Sequence, residues 1–186
     1  VDQATVKRRN RWQKNGVAYD SFLGVPAYAN RRNGRYQCTE LVHRFYRQIF
    51  RVPTRLGMGM GHANRLVQNI KRRFGRQAYS YKNNRIRMVL HRNYRAIEPP
   101  TPGSAINFQS GKYGHVAIVR YVRRISKSKI RVYLIEQHGF FFTNRRPGTI
   151  KPIRSLDFKQ TKNGRWASRG KRGIGSPISW LTFRKI

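Results

Sequence analysis

The sequence predicts a single α+β domain in which helices come first and an antiparallel sheet follows. In the first half, apolar residues recur at the 3.6-residue period of a helix. These residues are Leu41, Val42, Phe45, Tyr46 and Ile49. After the helix-breaking run 99–103 (PPTPG), the apolar period changes to two, which is typical of strands. The length of 186 residues is that of one ordinary domain.

The N-terminal part is predicted to be irregular. We expect a basic lead-in over residues 1–20 and one domain over residues 21–186. Residues 21–30 are expected to form a loop, because Gly24 and Pro26 break regular structure.

Two helices are predicted before the proline-rich break. The apolar pattern places the first helix at about residues 37–50, with Pro53 ending it. A flexible glycine-rich loop at 57–61 leads to a short helix over residues 62–74. Residues 79–95 mix basic and apolar side chains, and their pattern does not decide between helix and strand.

The second half is predicted to be mostly strand. The predicted strands are residues 105–108, 114–122, 127–136 and 178–183. A hairpin loop over residues 123–129 would join the second strand to the third. The segment 144–177 is rich in Arg, Gly, Lys and Ser, and we expect long basic loops there.

The composition is extremely basic. Lysine and arginine make up 41 residues and aspartate and glutamate 6, so the formal net charge is +35. The bases divide into 29 arginines and 12 lysines, which favours planar, two-pronged contacts with anions. With 38% hydrophobic residues the chain can form a core, which argues against a disordered basic tail. No run of 18 or more apolar residues is present, which excludes a membrane-spanning helix.

A charge of this size limits the settings in which the protein can work. Self-repulsion opposes compaction and is tolerated with counter-ions or an anionic partner. Four settings fit: nucleic acid, anionic lipid, an anionic cell-wall polymer, or an acidic medium in which carboxylates would be protonated. The basic residues are spread over the whole chain, and no recognition helix or RNA-binding signature concentrates them. This spread indicates a generally basic surface more than a dedicated groove.

Three residues carry the chemistry that the sequence indicates. Cys38 lies at the start of the predicted helix, where unpaired N–H groups and the helix dipole lower the pKa of a thiol. His115 begins one predicted strand and Glu136 ends the next, so a hairpin would bring them side by side. Glu136 would then accept a ring N–H of His115 and fix its tautomer, as catalysis by a cysteine nucleophile requires.

Each of these residues also has a plain structural interpretation. A lone cysteine is often a small buried hydrophobe, and a strand histidine is often a satisfied core or surface residue. With only 6 acidic residues in the chain, Glu136 in an apolar strand needs a local reason, and an ion pair with an arginine would supply one. Spacing alone leaves both interpretations open. The single cysteine excludes an internal disulfide and matches no zinc-binding pattern.

Several segments resemble the motifs of one protein family, in that family's order. They are residues 24–30 (GVPAYAN), 36–46 (YQCTELVHRFY), 102–108 (PGSAINF), 113–119 (YGHVAIV), 135–138 (IEQH) and 178–181 (ISWL). Together they are similar to CHAP domains, the cysteine, histidine-dependent amidohydrolases/peptidases. The residues around Cys38 and Glu136 are most similar to those of bacterial CHAP proteins and of the amidase half of glutathionylspermidine synthetases.

The resemblance implies a fold and a set of roles. The fold would be papain-like and related to NlpC-type peptidases, with N-terminal helices packed on an antiparallel β-sheet. Cys38 would be the nucleophile, His115 the base and then the acid, and Glu136 the residue that orients His115. The backbone N–H of Cys38 would hold the oxyanion, with Gln37 as a candidate second donor.

The chain also departs from the family pattern. His138 stands where the family has an asparagine after Glu-Gln, so it is a candidate orienting residue that would add positive charge at low pH. Segment 31–35 (RRNGR) lacks the acidic residues of the calcium loop present in some members, and we expect no metal and no cofactor.

The resemblance also implies a function. It predicts a cysteine-dependent amide hydrolase acting on peptide bonds of peptidoglycan, whose positive surface binds anionic wall polymers such as teichoic acids. We expect it in the cell envelope or outside the cell, although no signal-peptide pattern is visible in the chain. A polyamine-amide amidase is a second enzyme hypothesis, but a protein of charge +35 would repel a cationic conjugate. The non-enzyme alternative is a CHAP-fold basic protein that binds nucleic acid or another polyanion, or forms part of a large assembly.

Overall fold

The computed structural model describes residues 18–28, 37–137 and 154–186. The elements in chain order are β1 (Ala18–Phe22), β2 (Val25–Tyr28), α1 (Cys38–Phe50), a 3-10 turn (Ala63–Arg65), α2 (Leu66–Phe74), β3 (Tyr79–Tyr81), β4 (Asn84–Arg92), β5 (Ala105–Gln109), β6 (His115–Ser126), β7 (Lys129–Ile135), β8 (Ser155–Gln160), β9 (Trp166–Ala167) and β10 (Ser176–Lys185). Within the described ranges, no helix has the length and apolar character needed to cross a bilayer.

The strands form a small hairpin and one large sheet. β1 pairs with β2, and the other eight strands pair in the order β3-β4-β10-β5-β6-β7-β8-β9, all antiparallel. The sheet curls, because the backbone N–H of Trp166 on β9 donates to the carbonyl of Ala96, just after β4, at 2.8 Å. The mixed α+β class with an antiparallel sheet is therefore confirmed.

The first part of central strand β6, residues 115–119, is buried on both faces, and its alternate residues enter two separate cores. Val116 and Ile118 join the helix-side core, which contains the apolar residues of α1 and α2. Ala117 and Val119 point the other way, into a second core enclosed by the curled sheet. The start of β6 therefore lies between the helices on one side and the curled sheet on the other.

Helix α1 forms as the apolar period predicts. Its face of Leu41, Val42, Phe45 and Tyr46 is buried, and the Tyr46 hydroxyl joins two strands at once. That hydroxyl accepts from the N–H of Ala105 at 2.9 Å and donates to the carbonyl of Leu181 at 3.2 Å. These bonds tie α1 to β5 and β10.

The predicted helix boundaries are close to the observed ones. The helix predicted at 37–50 is α1, although a left-handed residue, Arg51 with φ 59°, ends it before Pro53 is reached. The short helix predicted over 62–74 is confirmed as the 3-10 turn followed by α2.

The prediction of a loop over residues 21–30 is wrong for its described part. Residues 21–28 belong to the β1–β2 hairpin, whose two-residue turn is Leu23 and Gly24. Both turn residues have positive φ, 49° and 77°, which is the geometry that matches the twist of a tight hairpin. Gly24 therefore joins two strands instead of breaking structure. Residues 1–17 of the predicted lead-in lie outside the described residues.

The predicted strands of the second half are confirmed, but the loop predicted over 123–129 is wrong. β6 continues to Ser126 and β7 starts at Lys129, so only two residues form the turn. Arg123 pairs with Arg131 in this outer ladder, and both side chains lie on the face that solvent reaches. Charged residues can form this outer part of the hairpin because water solvates their side chains. The prediction missed it because these residues do not alternate between apolar and polar.

The long loops predicted over residues 144–177 are wrong where β8, β9 and the start of β10 form; residues 161–165 and 168–175 are turns and irregular segments, and residues 144–153 lie outside the described residues. Leu156 and Phe158 alternate with polar residues and are buried in the second core, which makes β8 a strand, and β9 follows it. The arginine-rich flanks hide this short alternation in the sequence. Residues 79–95, left undecided by their pattern, contain β3 and β4, joined at Lys82 and Asn83 with φ 47° and 62°.

Candidate active site

Cys38 is the first residue of α1, with its side chain half-buried at the junction of helix and sheet. Burial acts to raise the pKa of the Cys38 thiol. A hydrogen bond and charge attraction from His115, with backbone N–H groups of Val116 and Thr39, outweigh that effect and hold the pKa below its usual value. Cys38 is thus placed where its thiolate form is favoured.

His115 is the first residue of β6 and is buried. The preceding Gly114 has φ 72°, and a Cβ on it would lie 2.4 Å from the Asn64 Cβ and 2.7 Å from the Phe108 carbonyl oxygen. Only glycine fits this close approach, so Gly114 fixes how the backbone enters His115. Nε2 of His115 lies 2.7 Å from Oε1 of Glu136, which leaves Nδ1 as the ring nitrogen for the thiol of Cys38.

The pKa of His115 follows from these contacts. Burial acts to lower it, but hydrogen bonds to Cys38 and Glu136 and the negative charge of both partners raise it to about 9. A raised imidazolium pKa beside a lowered thiol pKa favours the thiolate–imidazolium ion pair at neutral pH.

Glu136 follows β7 directly and is held from two sides. Arg154 donates from Nε to Oε2 at 2.5 Å and from Nη2 to Oε1 at 2.6 Å, and Oε1 is also the oxygen that contacts His115. Arg154 also donates from Nη1 to the Gly173 carbonyl at 2.6 Å. Burial raises the pKa of Glu136, but His115 and Arg154 together hold it below its usual range. The carboxylate stays charged and fixed beside the histidine.

Pairing with arginine is general among the described carboxylates. The pairs are Asp20 with Arg120, Glu40 with Arg44, Glu98 with Arg184, Glu136 with Arg154, and Asp157 with Arg131. Glu136 therefore forms the structural ion pair and at the same time contacts His115. Of these pairs, that of Glu136 has the most buried carboxylate, with the side chain 10% exposed.

Gln137 anchors the first turn of α1. Its Oε1 accepts from the Tyr28 N–H at 2.8 Å and from Arg44 Nη2 at 3.2 Å. Its Nε2 donates to the Gln37 carbonyl at 3.1 Å and to Glu40 Oε2 at 2.6 Å. This fully buried amide joins β2, the residue before α1 and the end of β7, and so fixes Cys38 relative to Glu136.

A second buried amide supports the strand beside His115. The Asn107 amide nitrogen donates to the Asn64 carbonyl at 2.5 Å and to Gln68 Oε1 at 2.9 Å. Its oxygen accepts from the Ser179 hydroxyl at 2.6 Å. The 3-10 turn that contacts Gly114 is thereby held to β5 and β10.

Sequence reasoning did not find Gln137 or Arg154. Gln137 lies in the Glu-Gln-His segment that resembles the family motif. The resemblance therefore pointed to this segment but did not indicate what the Gln137 side chain does. Arg154 is one of 29 arginines in a segment expected to be loop, and no local pattern distinguishes it.

The remaining predicted site residues are placed differently. The side chain of Gln37 is exposed and makes no capping hydrogen bond, while its carbonyl accepts from Gln137. His138 lies outside the described residues. In the part of the chain that is described, no group of three or more His, Cys, Asp or Glu side chains is placed to hold a metal ion.

A comparison with known protein families identifies the family of this chain. The CHAP domain model matches residues 28–138, more than half of the chain, and the match includes Cys38, His115 and Glu136. The chain therefore belongs to the CHAP family, whose members are generally amidases and peptidases. Arg154 lies beyond the matched segment. No curated protein matches the chain.

Proposed function

We propose that the protein is a cysteine amidohydrolase or peptidase of papain-like architecture that cleaves peptide bonds of peptidoglycan. The observation that supports this most is a continuous series of contacts from Cys38 through His115 and Glu136 to Arg154. A nucleophile, a base and an orienting carboxylate in contact are what acyl transfer by a thiol needs.

Acylation begins from the ion pair. The thiolate of Cys38 attacks the amide carbonyl carbon, and the negative charge moves to the carbonyl oxygen. The backbone N–H of Cys38, at the positive end of α1, stabilises this oxyanion, with Gln37 as a candidate second donor. When the tetrahedral intermediate collapses, the C–N bond breaks and His115 gives its proton to the leaving amine.

Deacylation returns the site to its starting state. His115, now neutral, accepts a proton from water as the water attacks the thioester carbon. The C–S bond breaks, the carboxylic acid product leaves, and the thiolate–imidazolium pair forms again. Glu136 keeps the same ring nitrogen of His115 engaged throughout, because Arg154 prevents the carboxylate from turning away.

The substrate and location rest on the family and on charge. Amidase and peptidase activity on peptidoglycan is general in the CHAP family. A protein of net charge +35 would accumulate on anionic wall polymers and stay near a wall substrate. This supports a place in the cell envelope or outside the cell.

Alkylation of Cys38 tests the ion pair. Native protein should react with iodoacetamide well below pH 8.5, the ordinary thiol pKa. His115→Ala should react more slowly at neutral pH, and the difference should shrink above pH 9, where His115 loses its proton. Equal and slow labelling of both proteins would mean an inert thiol and would reject cysteine catalysis.

Turnover then tests the substrate. We expect release of soluble fragments from purified peptidoglycan, reduced at least about a thousandfold in Cys38→Ala. The non-catalytic alternative, a basic CHAP-fold protein that only binds polyanions, predicts that Cys38→Ala changes nothing. A reactive thiol without release from peptidoglycan would retain the cysteine chemistry and reject this substrate.

A further inference from the structure

The outward side of β6, β7 and β8 carries a second concentration of functional groups. Its buried side contributes Val132, Leu134, Leu156 and Phe158 to the second core, so alternate residues of the same strands face solvent. Six of these define what we call the basic sheet face: Tyr121, Arg123, Lys129, Arg131, Tyr133 and Lys159.

Strand register arranges these side chains in rows. Tyr121 lies opposite Tyr133, Arg123 opposite Arg131, and Lys129 opposite Lys159. Successive rows are about 6.8 Å apart along a strand, and neighbouring strands are about 4.8 Å apart. Positive groups thus follow one another on a rigid surface at intervals comparable to those between phosphates of an extended polynucleotide.

An open groove continues this face towards β9. The cavity measures about 760 Å³, and five cations line it against one carboxylate, Asp157. Asp157 holds Lys129 at 2.9 Å and Arg131 at 2.7 Å, which orders both side chains. Lys159, Arg169 and Lys171 make no salt bridge with the described carboxylates. The groove therefore presents ordered positive charge with a large excess over negative charge.

The tyrosines distinguish this face from a merely basic surface. The rings of Tyr121 and Tyr133 stack with centroids 4.1 Å apart and planes 9° from parallel, and Tyr121 is 44% exposed. Tyr133 lies opposite Ser155, which lines the groove. An exposed aromatic stack beside a cationic groove is the combination that binds unpaired bases and their phosphates together.

We propose that the basic sheet face and its groove bind single-stranded nucleic acid. Phosphates follow the cations from Arg131 to Lys171, and a base stacks on Tyr121. A polymer of phosphodiesters without bases would use the cations but gain nothing from the tyrosine pair. Neither the basic sheet face nor the described groove lining includes Cys38, His115 or Glu136, so this binding does not depend on the proposed hydrolase function.

The test measures binding of a fluorescent 12-nucleotide oligo(dA) by anisotropy over a range of salt concentrations. The triple variant Lys159→Gln, Arg169→Gln, Lys171→Gln should bind more weakly, with the salt slope reduced by about 2. The matched control Arg72→Gln, Arg76→Gln, Arg85→Gln removes the same charge from exposed residues of α2, its following loop and β4. We expect this control to lose much less affinity, and equal losses would overturn the proposal.

The tyrosine pair is tested separately against a base-free ligand. Tyr121→Leu with Tyr133→Leu should weaken oligo(dA) binding about tenfold and leave inorganic polyphosphate binding unchanged. Circular dichroism and thermal melting verify that each variant is folded. If oligo(dA) affinity is unchanged, or if both ligands lose equally, the face is a general polyanion surface and the proposal is wrong.

Discussion

The two ends of the same ladder, β7 and β8, use charge in opposite ways. At the site end, one carboxylate is held between two cationic groups, and Glu136 and Arg154 are 10% and 22% exposed. On the outward face, Asp157 and Arg131 are 27% and 40% exposed, and the surrounding cations outnumber the carboxylate. Burial strengthens the first pair and makes it costly to break, whereas water screens the second. Burial therefore decides how much each of these two carboxylates contributes to the stability of the fold.

The largest expected difference is between the two arginines of this ladder. Arg154→Gln leaves Glu136 buried beside His115 without its guanidinium, and should lower the free energy of unfolding by about 3 kcal/mol. Arg131→Gln is the matched control and should change the free energy of unfolding much less, because its pair is exposed and Lys129 still contacts Asp157. Urea unfolding measures both values.

The same pair of variants also separates structure from site chemistry. Arg154→Gln should slow alkylation of Cys38 because Glu136 no longer holds His115 in one orientation, while Arg131→Gln should not change it. Equal unfolding free energies for the two variants would mean that burial does not distinguish the two pairs.

A smaller effect is expected from the uncharged anchor. Gln137→Ala removes four hydrogen bonds and leaves the Tyr28 N–H and the Gln37 carbonyl without this partner, which should cost about 2 kcal/mol. Gln160→Ala, on an exposed residue of β8, is the control and should be nearly neutral. Thermal melting compares them, and a neutral Gln137→Ala would show that the amide does not hold the start of α1.

The smallest effect concerns the outward pair in acid. Arg131 and Lys129 lower the pKa of Asp157 to about 2, below its unfolded value. Its contribution to stability is therefore present above about pH 4 and is lost as pH falls through about 2. Asp157→Asn should be slightly less stable than the native protein at pH 6 and equally stable at pH 1.5. A constant difference across this range would exclude ionisation of Asp157 as the cause.

Much of the site was predictable because its parts have local signals. An amphipathic period places Cys38 at a helix start, and two strands with alternating residues place His115 near Glu136. The β1–β2 hairpin was missed because Leu23, a residue that rarely has positive φ, occupies the first turn position. β8 was missed because its short alternation of Leu156 and Phe158 lies among arginines.

The sequence by itself determined the helix that carries Cys38, the strand that begins at His115 and the excess of positive charge. These depend on the order of neighbouring residues and on composition. The tertiary structure alone decided that Arg154 holds Glu136, that Gln137 joins three segments, and that dispersed cations line one groove. The reason is that the arginines are chemically identical, and the residues next to each one in the sequence do not show which of them will form a buried ion pair. Only strand register and burial, which sum contacts between distant parts of the chain, select among them.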